Sequence, residues 1–140
     1  MLRKRNFTDS MSNIRFVLSG LIGASAVIAG ASGAHGKWAE HLASIERLDQ
    51  WQTAVQYQLV HAIVLLVLTV AFRLVKKPTA VFWAFNLVLT GVVLFSGSLY
   101  NICFTNISKF GAITPLGGLS MIAGWLAICF CGGLARDERN

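Results

Sequence analysis

The chain has 140 residues and a formal net charge of +6, with 55% hydrophobic and only 13% charged residues. Soluble domains carry about a quarter charged residues, so this composition argues against a soluble globular domain. The length fits one domain. The positive charge does not indicate nucleic-acid binding, because the basic residues flank apolar runs, as they do in membrane proteins.

Charged residues are absent from four long stretches, at 16–34, 50–72, 78–108 and 110–135. A helix needs roughly 20 mainly apolar residues to cross a bilayer. None of the stretches shows the alternating segments of about 10 residues that are typical of a β-barrel. The sequence therefore predicts an all-α integral membrane four-helix bundle, with spans at about 16–34, 53–72, 81–104 and 113–134.

The predicted organisation is a basic leader at 1–15, a four-span membrane domain at 16–135 and a tail at 136–140. The leader and the apolar run after it resemble a secretory signal, and the small residues at 29–31 offer a cleavage pattern. A mitochondrial transit peptide is another alternative, which Asp9 and the immediate long span weaken. We favour a retained first span, because the run at 16–34 exceeds a signal's usual apolar core of about 7–15 residues.

Lysine and arginine residues predict the direction of the helices, because they favour the cytoplasmic side of a membrane. The leader, the turn after the second span and the tail hold nine of them, and the other two loops hold three. Both termini are therefore expected to be cytoplasmic. The segments 37–50 and 105–112 then face the outside.

The longer outer loop, 37–50, carries apolar side chains at Trp38, Leu42, Ile45 and Leu48. A spacing of three or four residues predicts a short amphipathic helix, and a tryptophan suits the membrane interface. An ordinary surface loop is the alternative.

Small residues are frequent in the first and fourth spans. In lipid, such residues allow helix backbones to approach closely. We therefore expect the first span to be the central, most tightly packed helix. The predicted packing glycines are Gly20, Gly23, Gly30, Gly97, Gly117, Gly118 and Gly124.

Polar residues from all four spans are predicted to meet in the outer half of the bundle. The stretches that carry them are 30–36 (GASGAHG), 57–62 (YQLVHA), 95–100 (FSGSLY) and 114–119 (TPLGGL). At about 1.5 Å per residue, His61 and Ser96 both lie roughly 12 Å below the outer boundary. The predicted outer polar cluster consists of His35, Gln56, Tyr57, His61, Ser96, Ser98, Tyr100 and Thr114.

His61 lies well inside the second span, where an ionisable side chain is unfavourable unless it is paired. We expect it to face the bundle interior, to be neutral at pH 7 and to hydrogen-bond Tyr57, Ser96, Tyr100 or His35. Whether the cluster binds a ligand or only holds the helices together stays open at this point.

The chain resembles the YgdD-like family of small four-helix membrane proteins, which occurs in bacterial inner membranes and has mitochondrial relatives. The resemblance rests on GASGAHG at 30–36, WQTAVQYQLVHA at 51–62, FSGSLY at 95–100, TPLGG at 114–118 and Gly124-Trp125. It covers about residues 17–134 in matching order and spacing. It implies four spans, a retained first helix and a multi-pass protein of a bacterial inner (plasma) membrane rather than a mitochondrial one. It implies no known reaction.

The sequence does not favour an enzyme, a haem site or a metal site. Ser96 or Ser98 near His61 could suggest a hydrolase, but the spans contain no carboxylate that would orient the His61 imidazole. His35 and His61 lie at different depths for a bis-histidine haem, and with His41 they lack the spacing of zinc ligands. We therefore predict no enzymatic activity, no catalytic or metal-binding residues and no cofactor.

The leading hypothesis is a structural or accessory membrane factor, or one that binds a lipid or small molecule in the outer polar cluster. The alternative is a subunit of an oligomeric small-solute transporter or channel, because four helices alone leave little room for a path. The expected partners are the lipid bilayer and either another membrane protein or further copies of the chain.

Overall fold

The computed structural model describes residues 7–75 and 78–134, and within these ranges all regular structure is helical. The basic residues at 1–6, 76–77 and 135–140, on which the topology prediction largely depends, lie outside the described residues. The helices are α1 (Phe7–Ala34), α2 (Gly36–Ser44), α3 (Leu48–Leu74), α4 (Thr79–Thr105) and α5 (Thr114–Leu134), with a 3-10 segment at Ser108–Ala112.

Four of these helices, α1, α3, α4 and α5, are long and apolar enough to cross a membrane, which confirms the four predicted spans. The helices extend beyond the apolar stretches. In particular, α3 begins at Leu48 and takes up the end of the predicted outer loop. Asp49 lies in its first turn, where a negative charge stabilises the helix dipole. Apolar composition therefore marks the part of each helix that spans the membrane and not the whole helix.

The central pair is α3 and α4, so the prediction that the first span is central is wrong. α1 packs along α3, α3 along α4, and α4 along α5. α3 and α4 bury ten and eleven residues. α1 buries only a narrow stripe of small and polar residues among its described side chains: Ser12, Arg15, Ser19, Ala26 and Gly33. Small residues in a membrane helix thus mark one close contact rather than burial on all sides.

The closest helix contact is between α4 and α5, and it depends on glycines of both helices. A Cβ atom added at Gly117 would collide with the backbone of Phe95, and one at Gly124 would lie 2.6 Å from Cγ2 of Val88. Gly91 of α4 was not singled out in the sequence analysis. A Cβ atom added there would lie 2.9 Å from the carbonyl oxygen of Gly117. These positions allow the two backbones to meet without intervening side chains.

The other predicted packing glycines differ in what they face. A Cβ at Gly23 or Gly30 would lie 3.6 or 3.3 Å from side chains of α3, and one at Gly118 would lie 3.9 Å from a ring carbon. At Gly20 and Gly97 no described atom beyond the neighbouring residues and the helix's own backbone lies within 4 Å of that position. These two are therefore not packing positions. The four-residue spacing of Gly20 and Ala24 is on the exposed face of α1, next to the buried stripe.

α2 folds back over one end of the bundle. Gly36 has a φ of +80°, which glycine adopts readily, and it turns the chain from α1 into α2. Leu42 is fully buried, and the Trp38 ring lies 5.1 Å from Phe104 and 5.4 Å from Trp51. The polar side chains of this helix, Lys37, Glu40 and His41, are exposed. Its position at a membrane surface stays a prediction.

A hydrogen-bonded arginine joins the two loops at this end. Arg47 donates from Nε to Oδ1 of Asn106 and from Nη2 to Oγ of Ser108, each at 3.0 Å. Asn106 ends α4 in the left-handed conformation, with φ 54°. We call this the loop end, and we call the opposite end, where α1 begins and α3 turns into α4, the leader end.

Candidate functional site

The predicted outer polar cluster is not one site in the structure. Six of its eight residues take part in four separate contacts, of which one lies within α3 and three join different helices. His35 and Gln56 are exposed, and neither hydrogen-bonds another described residue through its side chain. The four contacts are those of Tyr57 with His61, of Ser96, of Ser98 with Thr114, and of Tyr100.

His61 lies between α3 and α5 and faces the bundle interior. Its Nδ1 is 2.8 Å from the carbonyl oxygen of Tyr57, and Trp125 Nε1 donates to its Nε2 at 3.2 Å. The Tyr57 ring stacks at 6.0 Å. Ser96, Tyr100 and His35, the other expected partners, do not hydrogen-bond it. Trp125, interpreted from the sequence as a packing residue, is its cross-helix partner.

Two serines of α4 tie that helix to its neighbours. Ser96 Oγ donates to the carbonyl oxygen of Ala54 in α3 at 2.9 Å. Ser98 Oγ lies 2.7 Å from Oγ1 of Thr114, at the start of α5. Both serines are buried. These contacts are typical interhelical hydrogen bonds in lipid, and they leave no polar group directed towards an open space.

Tyr100 belongs to a network that spans three helices. Its hydroxyl donates to Oε1 of Gln58 at 2.7 Å. Gln58 Nε2 donates to Oγ of Ser25 at 2.8 Å and to the carbonyl oxygen of Ile22 at 3.0 Å. One buried amide of α3 therefore connects α4 with α1. At about 1.5 Å per residue, these groups lie roughly 8–15 Å inside the ends of their helices.

The network lines a groove between α1 and α4, with α3 as its floor. Because α1 and α4 each pack on α3 rather than closely on each other, a gap is left between them. The cavity at the loop end of this gap has a volume of about 320 Å³. It is lined by Ser25, Ala29, Trp51, Gln58, Tyr100 and Phe104. Mainly apolar walls with a few convergent polar groups are typical of small-molecule binding sites.

The hydrogen-bond donors that line the groove all donate to acceptors within the protein. The Ser25 hydroxyl donates to carbonyl oxygens of its own helix, the Trp51 indole to Ala29, and both amide protons of Gln58 are taken. The Tyr100 proton goes to Gln58. What remains are lone pairs on the Tyr100 oxygen and on Gln58 Oε1. The groove is therefore a hydrogen-bond acceptor.

Gln58, Ser25 and Trp51 were not among the predicted site residues. A signal for Gln58 exists in the sequence, because it falls seven residues after Trp51 and seven before Leu65, on the buried face of α3. A polar amide on an otherwise apolar face requires partners. Ser25 carries no such signal, since it is one of many small residues in α1.

A second cavity, of about 370 Å³, lies on the opposite face of the α1–α3 contact. Its walls include Gly30, Gly33, Val55 and Leu59, and its polar lining comes from the exposed amides of Gln52 and Gln56. This is where the structure places Gln56. Exposed amides already have access to solvent or headgroups, so this cavity offers less specificity than the α1–α4 groove.

Four helices that are long and apolar enough to cross a bilayer define a multi-pass membrane protein. The family described as "Protein of unknown function (DUF423)" matches residues 29–118. The chain is 43% identical over 114 residues to UPF0382 membrane protein YwdK of Bacillus subtilis, which covers 81% of this chain and 91% of that protein. It is 32% identical over 129 residues to UPF0382 inner membrane protein YgdD of Escherichia coli, covering 92% and 95%. No solved structure matches the chain.

The chain therefore belongs to the DUF423 family, which confirms the resemblance to YgdD-like proteins. It is a multi-pass protein of a bacterial inner membrane. The family description and the names of these relatives specify no reaction.

Proposed function

We propose that this protein is a non-catalytic membrane factor that binds an uncharged amphiphile in the α1–α4 groove. The observation that carries the proposal is the complete use of donors around the cavity by Ser25, Trp51, Gln58 and Tyr100. A ligand that matches acceptor lone pairs must bring its own proton, so we propose that it presents a hydroxyl or an amino group. An acyl or prenyl chain would lie along the apolar walls.

The walls of the groove support a lipid-soluble ligand rather than a water-soluble one. Phe104 is 64% exposed although it borders the cavity, and it faces the bilayer if the loop end lies at the outer boundary. Ala29 forms the opposite wall and leaves the space that a larger side chain would fill. A ligand can therefore enter sideways from the membrane. With both termini cytoplasmic, as we propose, it would enter from the outer leaflet.

The competing roles have less support. Catalysis needs an acid, a base or a nucleophile at the site, and the groove offers neutral hydrogen-bonding groups that already satisfy one another. The alternative of an oligomeric transporter or channel has no observation of its own among the described residues. A purely structural role predicts the same hydrogen bonds and differs from our proposal only in ligand binding.

Native mass spectrometry of the purified full chain tests the proposal. The probes are a short-chain diacylglycerol, which has a free hydroxyl, and its O-methyl ether, which has the same shape without the proton. We expect the chain to retain the diacylglycerol with about tenfold or more preference, because a buried acceptor pair distinguishes a donor from its methylated analogue. Equal retention of the two probes would contradict the proposal.

Two matched variants, in each of which phenylalanine replaces an alanine of α1, test where the ligand binds. Ala29→Phe fills the cavity from the α1 side, whereas Ala31→Phe adds the same ring on an exposed face of the same helix. We expect Ala29→Phe to abolish retention and Ala31→Phe to leave it unchanged. If Ala29→Phe does not fold, the comparison of the two probes on the unchanged chain still decides the question.

A further inference from the structure

An arginine is buried in the bundle at the leader end. Arg15 of α1 is only 4% exposed, although the sequence analysis assigned it to the basic leader. Its guanidinium carbon lies 4.1 Å from the ring centre of Phe72, 4.7 Å from that of Phe85 and 5.0 Å from that of Phe82. α1, α3 and α4 therefore enclose one cation among three aromatic rings.

This cation is not neutralised within the described part of the chain. Nη1 of Arg15 is buried and has no hydrogen-bond partner there, and no described carboxylate lies within ion-pair distance of it. Cation–π contacts stabilise a desolvated arginine, but by less than the cost of burying a charge without a counter-charge, so the rings offset only part of that cost. Arg73, at the same end, is by contrast hydrogen-bonded to Ser12 and Asn13.

The guanidinium borders a cavity of about 210 Å³ between α1 and α4. Asn86 contributes the other polar side chain of the lining, and its amide nitrogen is already used on the Phe82 carbonyl oxygen. The remaining walls are apolar, from Met11, Ile14, Leu18 and Leu89 together with the phenyl rings. The cavity thus combines one unpaired cation with walls that are otherwise mainly apolar.

The position of Arg15 along α1 places it at the edge of the hydrocarbon core, next to the lipid headgroup layer. Nineteen residues separate it from Ala34, the last residue of α1. At about 1.5 Å per residue this is roughly 29 Å, which is close to the hydrocarbon thickness of a bilayer, about 30 Å. When Ala34 lies at one boundary, Arg15 lies at the other.

We propose that Arg15 is the phosphate-binding residue of a site for an anionic phospholipid at the leader end. The planar guanidinium donates to a phosphate oxygen, and one acyl chain lies along Ile14, Leu18 and Leu89. This site goes beyond the uncharged ligand proposed for the loop end. It rests on different residues, a different charge and the opposite leaflet, so either proposal can fail without the other.

A lipid competition measured by native mass spectrometry tests this site. The delipidated full chain is incubated with equal amounts of phosphatidylglycerol and phosphatidylcholine of identical acyl chains. The retained lipid is then identified from its mass. Both lipids carry an anionic phosphate, but the quaternary ammonium of phosphatidylcholine neutralises its headgroup and is repelled by the Arg15 cation, so we expect about tenfold or more preference for phosphatidylglycerol. Arg15→Met should abolish the preference. Arg47→Met, which removes the same charge at the loop end, and Ala29→Phe should both keep it.

Three outcomes would overturn the proposal. The unchanged chain could retain both lipids equally, or Arg15→Met could keep the preference, which would leave Arg15 as a structural lock on the three rings. Inorganic phosphate could displace the lipid at equal concentration, which would make the site one for a free anion. If Arg15→Met does not fold, Ile14→Trp decides, because it fills the cavity and leaves the cation in place. Loss of phosphatidylglycerol retention would support the proposal, and full retention would contradict it.

Discussion

The indole N–H of Trp125 donates a hydrogen bond to Nε2 of His61 across 3.2 Å and so joins α5 to α3. The other ring nitrogen, Nδ1, is 2.8 Å from the Tyr57 carbonyl oxygen. An indole nitrogen can only donate and a carbonyl oxygen can only accept. The neutral imidazole with its proton on Nδ1 therefore satisfies both partners. We predict this tautomer, and long-range proton–nitrogen NMR spectra of the folded chain should show an unprotonated Nε2.

Substitution at His61 should separate loss of the hydrogen bond from loss of packing. An amide can donate to Tyr57 and accept from Trp125, so His61→Gln should fold nearly normally. His61→Leu leaves the part-buried indole N–H without its partner and should lower the free energy of unfolding by about 1 kcal/mol. A double-mutant cycle with Trp125→Phe in detergent should give a coupling of about 0.6 kcal/mol, typical of interhelical bonds. Additive effects would show that the contact contributes nothing.

Glycines at the α4–α5 contact should be far more sensitive than glycines on open faces. Gly117→Ala places a methyl group against the Phe95 backbone, and overpacking of this kind costs about 1–3 kcal/mol. Gly20→Ala meets no described atom within 4 Å and should be neutral or slightly stabilising. Thermal unfolding in detergent compares the two. Equal melting temperatures would mean that α4 and α5 are not in close contact.

The Tyr100 hydroxyl should contribute to stability in a way that the Tyr57 hydroxyl does not. Tyr100 donates to Gln58 Oε1, whereas Tyr57 is 41% exposed and its hydroxyl bonds no described residue. Tyr100→Phe should therefore lower the free energy of unfolding by about 1 kcal/mol. Tyr57→Phe, the matched control, should change it by less than about half of that. A larger effect at Tyr57 would show that the network is not formed in the membrane.

Topology reporters test the orientation on which the leaflet assignments depend. Fusions after residue 77 and after Asn140 should report a cytoplasmic position, because nine of the twelve basic residues fall in the leader, the turn after the second span and the tail. A fusion within 37–50 should report an external position. A cytoplasmic signal from 37–50 would invert the protein and exchange the leaflets of the two proposed lipid sites.

The number and type of the spans could be predicted because apolar length is a local property of the sequence. The bilayer requires about 20 apolar residues whatever a helix packs against. Which helix is central could not be predicted in the same way. The small residues of α1 indicate a close contact, but only the neighbours show that Gly20 is on the open face and Gly23 on the buried one.

The grouping of the predicted site residues differs in the structure. Counting residues places Ser96 and Tyr100 in the half of α4 nearer the loop end and His61 at the middle of α3. Which of them meet depends on the rotation of each helix about its axis. Successive side chains point about 100° apart around a helix, so a shift of one residue directs a side chain at a different neighbouring helix. Trp125 is consequently the cross-helix partner of His61 where Ser96 was expected, and Tyr100 bonds Gln58 instead of His61. Arg15 was assigned to the basic leader because it precedes the apolar run, and its position in the sequence does not show that three rings enclose it.

The most direct test of the α1–α4 groove is photo-crosslinking with a diacylglycerol that carries a diazirine on its acyl chain. With the full chain in lipid nanodiscs, peptide mapping should place the label on Ala29, Phe104 and their neighbours, which border the cavity. Excess unlabelled diacylglycerol should compete for this label and the O-methyl ether should not. Labelling spread evenly over exposed residues of α5 such as Leu119 and Leu126, without competition, would contradict a specific site.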